Sequence, residues 1–135
     1  MTMTSTPTVT TRRRNLALVV TRIYAGLLGA LQLAGVVFFV FLAPDEGLWV
    51  GLWVDVPVTA LLVGGVLLKL AVAVGPGLDA HRRITLGFTA VVIGIAVTLI
   101  KIPVYDEPEG VLFLAFDGVL LVLLVLARRG AGPRR

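Results

Sequence analysis

The sequence contains no cysteine and a single histidine, His81. The first absence excludes disulfides, thiolate metal sites and thiol catalysis. The second excludes a histidine-based metal cluster within one chain. Charge is also scarce: of 135 residues 15% are charged and 58% hydrophobic, with a mean hydropathy of +1.00, whereas a soluble domain carries roughly 25% charged residues. Catalytic signatures are missing too. There is no GxSxG elbow and no HExxH, and "GGVLLKLA" lacks the spacing of a phosphate loop. Asp45, Glu46, Asp55, Asp106, Glu107 and Glu109 do not follow the order of a calcium loop and read as solvated loop charge. No metal, cofactor or catalytic residue is therefore assigned from the sequence.

What the chain does have is four long apolar runs, at about 16–42, 56–75, 84–103 and 108–127. A membrane-spanning helix needs about 20 apolar residues, and outer-membrane strands would be about 10 residues with alternating polarity. The expectation is an all-α polytopic membrane protein, a bundle of four transmembrane helices over residues 16–127. Before it, residues 1–15 form a basic segment without apolar period, expected to be disordered. After it, residues 128–135 form a basic tail. "TRRRNLA" has the look of an export signal, but the apolar run behind it is too long and lacks a small-residue cleavage site, so it is read as a retained first helix. The bias to arginine over lysine, ten against two, with much Ala, Val and Gly, suggests a bacterial source.

The basic residues fall asymmetrically. Arg12–Arg14, Arg82, Arg83, Arg128, Arg129, Arg134 and Arg135 flank one end of the runs, and the loops at the other end are acidic. By the positive-inside rule both termini and the second loop are cytoplasmic in the plasma membrane. Arg22, Arg82, Arg83, Arg128 and Arg129 are expected to anchor the inner interface and meet anionic lipid head groups. Trp49, Trp53 and Tyr105 fit an outer aromatic belt and Tyr24 an inner one. The bilayer and its anionic lipids are the expected partners, with a homo-oligomer or larger membrane complex open. Nucleic acid is not expected, because the positive charge sits where topology signals sit.

Few ionisable groups lie inside the runs: Lys69, Lys101 and Asp117, with Arg22 at a border. Asp117 is the hardest to place. Taking Glu107 as cap and Pro108 as first helical residue, it sits about 13 Å below the start of the fourth helix. A central aspartate disfavours insertion by about 2.5–3.5 kcal/mol, so it must be paired, protonated or wet. Axial counting brings Gln32, Lys69, Thr98, Lys101 and Asp117 towards one level, a polar site shared by four helices. Small residues mark the close contacts. Gly87, Gly94 and Lys101 recur by seven on the third helix, and Arg22, Gly26, Gly29 and Gln32 share a face of the first, which raises a cleft between these two helices.

Three functions remain open on this reading. A non-enzymatic accessory, assembly or oligomeric bundle component explains the shortness and the missing constellations. A small proton-coupled transporter or channel would use Asp117 as its carrier. An intramembrane enzyme acting on lipid or quinone would use it as general acid or base. Small multidrug antiporters carry their essential acid in the first helix, where this chain has Gln32.

Overall fold

A computed structural model describes residues 9–42, 50–106 and 110–131. It contains four helices: α1 (Val9–Val37), continued by a π-helical turn at Phe38–Leu42, α2 (Leu52–Val74), α3 (Ala80–Tyr105) and α4 (Gly110–Ala131). All four include stretches long and apolar enough to cross a membrane. The order around the bundle, which sequence left undetermined, is α1–α2–α3–α4, and α4 closes back on α1. Neighbours run antiparallel, while α1 faces α3 and α2 faces α4 across the two diagonals. The small-residue stripes therefore do not frame a cleft between α1 and α3. A Cβ at Gly26 would stand 3.0 Å from Ala73 of α2, and one at Gly87 would stand 2.4 Å from Leu124 of α4.

Helix boundaries differ from the apolar runs, each for a local reason. α1 reaches back to Val9, through residues expected to be disordered. Extending an existing helix needs no new nucleus, and the only proline before it is Pro7. α2 begins at Leu52 rather than Val56, because Asp55 reaches back to receive the Gly51 and Val50 N–H groups at 2.9 and 3.2 Å. Its carboxylate thereby satisfies donors that a helix start leaves open. Val50 and Gly51 before it are not helical, and Trp49 of the expected aromatic belt lies outside the described residues. α3 starts at Ala80, capped by Asp79, which accepts the Arg82 N–H at 2.8 Å. It ends at Tyr105, and the next residue, Asp106, stops it with a left-handed φ of 53°. Glu107 and Pro108, the expected cap of α4, lie outside the described residues.

Among the described residues two apolar clusters fill the bundle. The larger, towards the basic end, holds Ala25, Leu28, Val72, Ile84, Val91, Leu120, Leu124 and Ala127. The smaller, towards the acidic end, holds Val58, Val97 and Tyr105. Large side chains such as Leu27, Val74 and Val92 point outward, as suits a lipid environment in which helices associate through packing and polar contacts rather than by escaping water.

Candidate functional site

The polar residues lie in the layer between those two clusters. Lys69 of α2 and Asp117 of α4 sit on opposite helices, yet Lys69 Nζ is 3.0 Å from Asp117 Oδ1. Both side chains are essentially inaccessible, 1% and 0% exposed. They meet because Lys69 leans towards the amino-terminal end of its helix, as helical side chains do. Gly65 of α2 is level with Ala90 and Ile93 of α3, and Lys69 lies one turn farther towards the basic end. Its ammonium nevertheless stands 3.2 Å from the position a Cβ would take at Gly94, one turn beyond Ala90 in the opposite direction.

Glycines on the two flanking helices leave the room for this crossing. A Cβ on Gly29 of α1 would be 3.2 Å from Lys69 Cβ, and one on Gly94 of α3 would be 2.6 Å from Asp117 Oδ2. Gln32 of α1 completes the layer, its Oε1 accepting from Lys69 Nζ at 2.7 Å. All four helices thus contribute to one point on the bundle axis. The ammonium is within ion-pair distance of Asp117 but is not aligned as a hydrogen bond, and among the described residues neither carboxylate oxygen receives one.

Of the five residues that counting grouped, Gln32, Lys69 and Asp117 are in contact. Thr98 is buried but donates to the Gly94 carbonyl of its own helix at 2.7 Å, bracing the glycine beside Asp117. Lys101 is half-buried two turns beyond Gly94 on α3, and it is Lys69 that forms the pair with Asp117. Tyr24, expected at the interface, instead donates its hydroxyl to the Phe116 carbonyl at 2.8 Å, next to Asp117 in the chain. Thr21, fully buried, is within hydrogen-bond reach of the Ala17 and Leu123 carbonyls.

Comparisons with family models, curated proteins and solved structures find no match. The reading of the site therefore rests on its own chemistry.

Two further polar groupings tie helix ends. At the acidic end Tyr105 donates to Asp55 Oδ1 at 2.6 Å, both groups buried, which joins the end of α3 to the start of α2. Asp55 is thus not solvated loop charge, and Tyr105 is buried against it rather than open to an aromatic belt. At the basic end Arg83 is buried rather than facing lipid. Its Nη1 donates to the Val72 carbonyl at 2.6 Å and its Nη2 to that of Gly75 at 3.0 Å. Arg22 Nε donates to Ala73 at 3.0 Å. The last carbonyls of a helix have no partner within it, and a cation there also meets the negative end of the helix dipole. The other expected anchors are more open: Arg82 and Arg129 are exposed, and the exposed Arg128 places its guanidinium 5.8 Å from the Phe88 ring centroid.

Proposed function

We propose that this small multi-pass membrane protein lies in the plasma membrane with both termini in the cytoplasm. In this reading it is a non-enzymatic structural component, an accessory or assembly subunit or one copy of an oligomeric bundle, in which Lys69 and Asp117 fix the arrangement of the four helices. The observation that carries this reading is the pairing of Asp117 with an equally buried lysine on the opposite helix. A buried charge whose partner is held in place is best attested as a device for register and specificity. The arginine asymmetry of the loops supports the orientation.

One observation favours a second reading, a proton-coupled carrier: the Asp117 oxygens receive no aligned hydrogen bond among the described residues, which leaves the carboxylate open to a proton. Asp117→Asn separates the two. The structural reading expects the variant to melt several degrees lower in detergent and to lose any higher assembly, with proton flux into proteoliposomes equal to that of the parent chain. An Asp117→Asn protein that is as stable and as assembled as the parent, but has lost a measurable proton flux, overturns it in favour of the carrier.

A further inference from the structure

Two arginines meet the basic end of α2. A helix carboxyl end is equivalent to roughly half a negative charge, and two full guanidinium charges, Arg22 and Arg83, are held on its carbonyls. Arg83 is buried behind the helix end, whereas Arg22 is only half-buried. Among the described residues Arg22 has one hydrogen-bond acceptor, Ala73 O, which Nε reaches. Its remaining N–H groups meet no acceptor among the described residues.

Arg22 also lines an open groove of about 360 Å³ between α1 and α2. The other walls are Val19, Ile23, Gly26, Leu27, Ala73 and Val74. The groove has this form because Gly26 lets the two helices touch, with Ala73 at 3.0 Å from a Cβ there, while Ile23, Leu27 and Val74 splay outward on either side. From Arg22 it continues towards the middle of the bundle along Ile23 and Leu27. A forked cation in an apolar channel, held at the last residues of the α2 span, is complementary to a molecule with a phosphate head and a hydrocarbon tail.

We propose that this groove is a binding site for one anionic phospholipid. The phosphate sits on the outward N–H groups of Arg22, and an acyl chain lies along Ile23, Leu27 and Val74. Arg83 adds charge from behind without touching the lipid. The site rests on the membrane reading above but not on the role of Asp117.

Native mass spectrometry of the full chain in a neutral detergent tests it, with phosphatidylglycerol and phosphatidylcholine of identical acyl chains as probes. Phosphatidylglycerol is expected to bind about five- to tenfold more tightly, as one well-placed arginine supplies. Arg22→Gln should reduce that preference to near unity, whereas Arg134→Gln, which removes an equal charge from the basic tail, should leave it intact. Val74→Trp fills the groove from an exposed position and should lower phosphatidylglycerol binding several-fold even if Arg22→Gln proves unstable. Free inorganic phosphate should not compete.

Equal binding of the two lipids overturns the proposal. So does a preference that survives Arg22→Gln or falls equally with Arg134→Gln, phosphatidylglycerol binding that Val74→Trp leaves unchanged, or displacement by inorganic phosphate. A chain that stays soluble without detergent would contradict the membrane reading itself, which is a different failure.

Discussion

Lys69→Met is expected to destabilise the bundle by about 3–5 kcal/mol, the usual consequence of removing one partner from a buried ion pair. The substitution keeps a side chain of similar length between Gly29 and Gly94, so the loss comes from charge rather than from a void. It leaves Asp117 fully buried with no cation on the bundle axis, and Gln32 Oε1 loses the donor now 2.7 Å away. Asp117→Asn removes the other charge and leaves the buried Lys69 ammonium without a counter-charge. The two changes made together should cost far less than the sum of their separate effects, because the double variant buries no lone charge. Reversible unfolding of the four proteins in mixed micelles gives the coupling, expected at about 2 kcal/mol or more where independent sites add to within about 0.5 kcal/mol. Additive effects would mean that the two groups act separately.

Gly94→Ala should have an effect out of proportion to one methyl group. The new Cβ would lie 2.6 Å from Asp117 Oδ2 and 3.2 Å from Lys69 Nζ. Neither group can withdraw cheaply: Asp117 has a short side chain, and the ammonium is held by Gln32 on the far side. Overpacking of this kind destabilises by about 1–3 kcal/mol. Gly118→Ala provides the contrast. It lies beside the acid in the sequence, yet a Cβ there meets nothing within 4 Å, so it should be neutral or stabilising by up to about 1 kcal/mol through helix propensity. Thermal melting of both variants checks the pair, and equal behaviour would show that space at Gly94 is not what positions the ion pair.

The sequence makes the four helices legible because apolar length needs no tertiary knowledge. It also makes the central layer partly legible, because depth along a helix can be counted. Asp117 stands out by being too short to reach water, and the stripe of Arg22, Gly26, Gly29 and Gln32 marks the face that packs on α2 from Ala73 to Lys69. Counting could not choose between Lys69 and Lys101. Both lean inward, and the choice depends on which helices are diagonal.

The groups that were misread are those whose partners are distant in sequence. Arg83 looks like any loop arginine until the carboxyl end of α2 is placed beside it. Asp55 and Tyr105 are 50 residues apart, and each has an ordinary interfacial explanation alone. Gly94 was legible as a packing residue, but its role beside the carboxylate depends on the register of α3 against α4. There Gly87 faces Leu124 and Gly94 faces Asp117, seven residues apart on both helices.

The central claim is that Asp117 is an ionised carboxylate held by Lys69. Infrared spectroscopy of protein carrying carbon-13-labelled aspartate, in bilayers at neutral pH, tests it most directly, with the Asp117→Asn spectrum subtracted to isolate this group. The account predicts an antisymmetric carboxylate stretch for Asp117 in the parent chain, replaced in Lys69→Met by the carbonyl stretch of a protonated carboxyl. A protonated carboxyl already present in the parent chain, and unaltered by Lys69→Met, would contradict it.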